Sequence, residues 1–154
     1  MPTTGERVDP FRGFNFRIEI DNTDVAAFRE ASGLSFTIDP VEYREGTDPD
    51  MHVRKLFGLR KYANIMLKRG MTLNRDLWEW YLTVVNGVPD RRAGAIVLLD
   101  EERNDVARWR FVEGWICKWE GPAMNATTNE VAVESIEICV EQIGRASCRE
   151  ECRL

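Results

Sequence analysis

Apolar and polar residues alternate without a break from Phe14 to Ile20. Phe14, Phe16, Ile18 and Ile20 fall on one side, Asn15, Arg17 and Glu19 on the other. A period of two marks a half-buried strand. Residues 21–24 carry turn chemistry, 25–31 read as the return strand, and Ser32-Gly33 breaks it. Another strand opens at 34–38, with Pro40 limiting how regularly it can pair. Residues 53–56 are a short strand candidate. Over 62–68, Ala63, Ile65 and Leu67 face one way, and Tyr62, Asn64, Met66 and Lys68 the other. A short apolar strand at 95–99 leads through a charged, solvated hairpin turn at 100–105 into a long strand at 106–119. That strand sets Trp109, Phe111, Trp115 and Trp119 on one face, and Glu113 shares it. A carboxylate among aromatics suits a bulge beside Gly114 or a partner arginine better than an acid of shifted pKa. In 131–143 the apolar phase slips between Val131, Val133 and Ile136, Ile138, Val140. A bulge near Glu134-Ser135 reconciles the halves, as does a strand buried on both sides by subunit contact.

One segment follows a different period. Leu77, Trp80, Tyr81, Val84 and Val85 sit at i, i+3, i+4, i+7 and i+8, which predicts a helix over about 74–86. Asn74 is placed to cap it, Asp76 favours its first turn, Asn86-Gly87 stops it and Pro89 prevents resumption. Trp78 and Leu82 lie off the buried face, so the helix is expected to cover a sheet and present a second apolar edge to a neighbour. Strands dominating around one helix predict an antiparallel β-barrel or sandwich.

Between strand and helix, 40–59 is polar and turn-rich. Acids lead (Asp39, Glu42, Glu45, Asp48, Asp50) and bases follow (Arg54, Lys55, Arg60, Lys61). Such segregation suits a segment paired with itself as a hairpin, or with the opposite half of a neighbour. Its length and polarity favour an extended charged loop between copies. The candidate interface is therefore Glu45, Asp48, Asp50, Arg54, Lys55, Leu56 and Arg60, with Trp78 and Leu82 of the helix.

The chain has 154 residues, a net charge of −5, 44% hydrophobic and 31% charged residues. That is one domain of ordinary globular composition. The acidic balance disfavours generic attraction to nucleic acid or anionic membranes. No run approaches the ~20 apolar residues of a membrane span, and the N-terminus has no signal-peptide core, so synthesis in the cytoplasm is expected. Cys117 and Cys139 lack metal-ligand spacing and read as reduced, buried thiols. Residues 1–10 read as an arm and 1–143 as one domain. Residues 144–154 carry Cys148 and Cys152 and lack apolar periodicity, and the run from Ile143 to Glu150 resembles translated sequencing-adapter DNA, which marks 144–154 as a non-native scar. His52 is the only histidine and sits in the polar loop, glycines form no phosphate cradle, and the paired acids occupy turns. Asn125-Ala-Thr127 matches a glycosylation sequon, without meaning unless the chain is secreted. No catalytic, cofactor or metal site is expected, and the chain does not read as an enzyme.

Specific runs add to this reading. Glu42-Tyr-Arg-Glu-Gly-Thr-Asp-Pro49, Arg54-Lys-Leu56, Leu67-Lys-Arg-Gly70, Glu79-Trp-Tyr81 and the run from Gly121 to Val131 resemble tail tube proteins of contractile phages and phage-tail-like injection systems. The likeness covers roughly 9–143 in the family's order. Two departures stand out: Phe57 replaces the family's usual proline, and Glu113-Gly-Trp-Ile116 stands where an Asn-Ala-Trp-Pro-like run is usual. The resemblance implies hexameric rings, each copy donating strands to a continuous inner barrel, stacked into a tube around a lumen. It implies as partners a contractile sheath, baseplate and tube-terminating proteins and a DNA or protein cargo, in a virion tail or injection particle, with no membrane insertion. A type VI secretion tube protein and a monomeric small-ligand-binding barrel are the alternatives.

Overall fold

The computed structural model describes residues 9–10, 12–21, 23–24, 28–71, 75–127 and 129–147. Ten strands and one helix follow in the order β1 (Phe16–Ile20), β2 (Thr23–Asp24), β3 (Glu30–Ser32), β4 (Phe36–Tyr43), β5 (Arg54–Tyr62), β6 (Ile65–Gly70), α1 (Asp76–Val85), β7 (Arg92–Leu99), β8 (Asp105–Glu120), β9 (Val133–Cys139) and β10 (Gln142–Ser147). Every pairing is antiparallel.

The architecture turns on β8, which serves two sheets. Its first half lies between β7 and β10, and its second half pairs with β9. One sheet therefore runs β2-β1-β7-β8-β10, the other β8-β9-β6-β3, and β4-β5 forms a separate ribbon. The two sheets enclose Ile18, Ile20, Ile65, Leu67, Ile96, Phe111, Ile116, Ile136 and Ile138, with Leu77 and Trp80 of α1 packed into the same core. The result is sandwich-like. Among the described residues no sheet closes into a barrel.

Two irregularities let β8 turn. Arg92 faces Gly114 while Gly94 faces Phe111, so β8 holds one extra residue there, and Glu113 takes φ 54°. The bulge beside Gly114 is thus present, and Glu113 points to solvent. A second register shift lies between Ile116 and Lys118. Each extra residue reverses the faces. Phe111, Ile116 and Trp119 consequently join the core, and Trp115 lies opposite the exterior residue Cys139. The aromatic residues expected on one face are split between two.

The expected bulge at Glu134-Ser135 is absent, since β6 and β9 pair without interruption from Ile65 with Ile138 to Gly70 with Val133. The phase slip has another cause. Glu134 occupies an inward position and is almost fully buried, where Arg69, directly opposite on β6, donates its Nε–H to the carboxylate. Phe28 lies against the guanidinium, 5.9 Å from its carbon to the ring centre. Val131 is exposed and Val133 half-buried.

The strand expected over 25–31 lies partly outside the described residues. Its described end, β3, pairs with β6 rather than returning along β1. Asn74 also lies outside them; Arg75 precedes the helix and makes no side-chain cap. The C-terminal stop is as the sequence indicates. Gly87 N–H donates to the Val84 carbonyl at 3.0 Å and Val88 N–H to Thr83 at 3.0 Å, the paired bonds of a Schellman motif. Val85 is exposed rather than part of the buried face. Cys117 is exposed and Cys139 half-buried, so neither is the buried thiol expected. Burial, the Glu137 carboxylate and Cys139 push the Cys117 thiol up. β10 continues to Ser147, past residue 143. Ladder bonds use only the backbone, so this pairing is compatible with 144–154 being foreign sequence.

The outer face of β7 is apolar yet covered. Ala95, Val97 and Leu99 are buried there; Arg17 and Arg108 lie directly opposite Val97, and Glu19 and Arg110 opposite Ala95. Arg17 bonds Asp105 at 2.7 Å and lies 3.1 Å from Glu19, which Arg108 also bonds. Long side chains joined in a network thus shield aliphatic surface. Burial pushes the Glu19 carboxyl up, but the hydrogen bond and charge of Arg108 and the charge of Arg17 outweigh it and hold it below the ordinary carboxylate range. A lowered folded-state pKa adds stability above the unfolded value of ~4.3, lost as pH falls through the folded one. Glu19→Gln is expected to flatten the acid limb of a pH-dependent thermal melt.

Removing one partner of the buried pair leaves an uncompensated charge. Arg69→Met or Glu134→Met alone is expected to cost about 3–5 kcal/mol, and the double variant to recover most of it. Urea unfolding of the three variants checks this; an additive double variant would show that the pair is not coupled.

Candidate assembly interface

The segment at 40–59 does fold on itself. β4 and β5 pair along the ribbon, and only 44–53 form an irregular tip. The expectation of an extended loop is replaced by a two-stranded arm, because the charge segregation is satisfied within the chain. Glu42 faces Lys55 across the ribbon, Lys61 reaches Asp39 at 3.1 Å, and Arg54 reaches Asp48 at 3.0 Å. The tip is closed locally as well. Glu45 N–H donates to Asp48 at 3.1 Å, Tyr43 donates to the Glu45 carboxylate at 3.0 Å, and Arg44 donates to the carbonyls of Asp48 and Asp50.

Two glycines shape the arm. A Cβ on Gly33, at φ +90°, would collide with the Asn64 carbonyl where the arm leaves the sheet. A Cβ on Gly58 would collide with the Asp39 carbonyl, at the register shift between Ile38 and Pro40. The strands continue nearly unbroken from β3 into β4 and from β5 into β6; Ala63 N–H bonds the Ser35 carbonyl at 3.0 Å in the gap. The arm is an extension of the second sheet beyond the core.

What the arm leaves open is apolar. Phe57 is 96% exposed, Met51 95% and Leu59 80%, with Val41, Leu56, Ile38 and Phe36 also exposed. A two-stranded ribbon alone is marginal in water, and apolar surface on it marks a contact site. The second sheet also has two open edges among the described residues. β3 pairs only with β6, and β8 from Trp115 to Glu120 pairs only with β9. Unpaired edges are templates for another strand.

The nine residues named from sequence divide into two groups. Glu45, Asp48, Asp50, Arg54, Lys55, Leu56 and Arg60 all lie on the arm, with Asp48 and Arg54 bonded to each other. Trp78 and Leu82 lie on α1, away from it, and are half-buried within the chain. Trp78 meets Trp119 of β8 edge-to-face, 5.1 Å between ring centres, and Tyr81 completes the cluster at 5.6 and 6.1 Å. The edge expected to face a neighbour is therefore half-buried within the chain, with Trp78 set against Trp119 of β8. Of the exposed apolar residues of the arm, sequence reasoning named Leu56 and missed Phe57, Leu59 and Met51, as it missed the open-edged sheet; the alternation Val41, Tyr43 against Glu42 was a signal for the arm. No group of three or more candidate ligands that could hold a metal ion occurs among the described residues.

The sequence model of the T4-like virus tail tube protein gp19 matches residues 12–144. The chain belongs to that family. Solved structures agree on the fold. The sheath-tube complex of an extracellular contractile injection system, PVC, in the extended state contains a chain 21% identical, with a TM-score of 0.77, covering 90% of this chain and 92% of that one. A chain of the six-fold symmetrised baseplate of the anti-feeding prophage gives 20% identity, a TM-score of 0.82 and coverage of 94% and 100%. Hcp1 from Flavobacterium johnsoniae is more distant, with 14% identity, a TM-score of 0.54 and coverage of 86% and 94%. Comparison with curated proteins gives no match. Tail tube proteins are structural components, not enzymes. The two departures from the tail tube pattern both fall beside bulges, Phe57 next to Gly58 and Glu113 next to Gly114.

The helix separates folding from surface effects. Leu77 is fully within the core, and Leu77→Ala is expected to cost ~2–5 kcal/mol. Trp78→Ala loses its ring contacts, about 0.5–1.5 kcal/mol beyond the area exposed. Thermal melts of both check this; a Trp78→Ala variant as stable as the parent would mean that the aromatic cluster does not hold the helix.

Proposed function

We propose that this chain is the repeating subunit of the inner tube of a contractile tail or injection system. Copies form hexameric rings, and rings stack around a lumen through which DNA or a protein passes when a sheath contracts. The observation that carries the reading is the second sheet, with open edges at β3 and at the second half of β8. In the order β8-β9-β6-β3 the two edge strands run antiparallel, so β3 of one copy can pair with β8 of the next under simple rotation. Head-to-tail contacts of this kind close into rings. Six copies then make one continuous wall, with the other sheet and α1 outside. Family membership and the likeness to chains of a sheath-tube complex and a six-fold baseplate support this choice over a freestanding ligand-binding protein.

The partners follow from that assembly: further copies of the chain, a sheath protein, baseplate and tube-terminating proteins, and the luminal cargo. No described helix is long and apolar enough to cross a membrane. The particle is assembled from cytoplasmic subunits and works as a virion tail or as an injection device inside or outside the cell. Size-exclusion chromatography with light scattering across concentrations, followed by electron microscopy, is the test. Rings of six or tubes are expected at high concentration; a strict monomer throughout would sink the reading.

A further inference from the structure

The open edges of the second sheet could meet in several registers, and the alternation of faces narrows them. On β3, Ala31 packs on the core, while Glu30 and Ser32 are exposed. On the open half of β8, Ile116 and Trp119 take the core side, and Trp115, Lys118 and Glu120 the other face. Continuing one face across the junction sets Glu30 opposite Lys118 or opposite Glu120. A shift one way carries β3 into the bulge at Glu113 and Gly114; a shift the other way runs past the end of β8 at Glu120.

We propose that β3 of one copy pairs with its Glu30 opposite Lys118 of the next, and that this ion pair sets the register of the ring. The contact rests on the ring reading above and goes beyond it by fixing which residues face each other. Charge decides against Glu120, because like charges directly opposite are unfavourable in a sheet. In the chosen register Glu30, Ala31 and Ser32 meet Lys118, Ile116 and Trp115. Glu137, Ile138 and Cys139 of β9 make the same pairing on the closed edge of β8, with Cys117 skipped. Lys118 then stands between Glu137 of its own chain and Glu30 of the next copy, whose carboxylate lies 3.7 Å from that copy's Lys68. Charge alternates over four strands.

Closure favours the same register. Glu120, Ser135, Lys68 and Glu30 share one row across the sheet. Joining Glu30 to Glu120 would return to that row in every copy and leave the ring without stagger. Joining it to Lys118 steps along the strand at each junction, and closing a twisted sheet into a barrel needs such a stagger. One exposed pair is weak, but the junctions of a ring act together.

Disulfide trapping reads the register directly. With the four native cysteines replaced by serine, Glu30→Cys is combined with Lys118→Cys or with Glu120→Cys and oxidised at ring-forming concentration. Opposed residues on adjacent strands lie within disulfide reach. A ladder of covalently linked chains is expected from the Lys118→Cys combination and not from the Glu120→Cys one. The reverse result, or rings of both that give no ladder, would overturn the proposal. Light scattering tests the charges separately. Lys118→Gln and Glu30→Gln are each expected to raise the concentration needed for rings at least tenfold, and the double variant no further than either alone. Glu120→Lys is expected to change it less than threefold. Additive losses, or a Glu120→Lys variant that closes rings at lower concentration, would show that Lys118 does not set the register. All three residues are exposed, so thermal melts of these variants are expected to match the parent. An unaltered chain that never forms rings would count instead against the ring reading itself.

Discussion

A sixteen-residue strand is too long for one sheet of this sandwich, and the fold depends on how β8 divides its pairing. Its first half is closed on both sides, by β7 and β10, while its second half is closed on one side only, by β9. The extra residues near Glu113 and Cys117 bend the strand and twice reverse its faces. Without those reversals Phe111 and Ile116, at odd and even positions, could not share a core. The open edge of the second sheet is therefore a consequence of how the core is built.

Much of this was legible in the sequence because simple periods reported it. The alternation through Ile18 and Ile20 and the helical spacing of Leu77 and Trp80 each found their buried faces. Turn residues located the ends of most elements. Reading failed where one buried position was polar or one residue was inserted. Glu134 looked like a break in phase because glutamate is seldom inward, yet Arg69 sits at the inward parity of β6 and supplies its partner. Trp115 looked like a core residue because the alternation was continued straight through the bulge beside Gly114, which reverses the faces beyond it. Partner strands across long separations were likewise invisible: nothing local in Glu30–Ser32 says that β6, not β1, is its neighbour.

The interface was half legible. Charge segregation in 40–59 was a true signal, and of the two readings it allowed, pairing within the segment is the one realised. An exposed ion pair contributes only ~0.2–1 kcal/mol, so Glu42 opposite Lys55, Asp39 with Lys61 and Asp48 with Arg54 do little for overall stability. What they do well is fix register, since a slipped ribbon would set like charges against each other. The paired acids and bases hold the arm in shape. Phe57, Leu59 and Met51, which no charge pattern advertises, are left exposed.

On the tube reading proposed above, that division bears on how a free copy keeps its contact surface available. Apolar surface on a flexible loop would collapse onto the nearest hydrophobic patch of its own chain. Mounted on a ribbon whose strands are locked by cross-strand charges and kinked at Gly33, the same side chains are held away from the core. A preformed arm also loses less conformational entropy on docking than a disordered one. Net charge of −5 keeps free copies apart at long range, and salt screens that repulsion beyond about 8–10 Å. At contact distance the short-range apolar match decides. On the tube reading proposed above, such an arrangement suits a chain that stays apart when dilute and joins its own kind when concentrated.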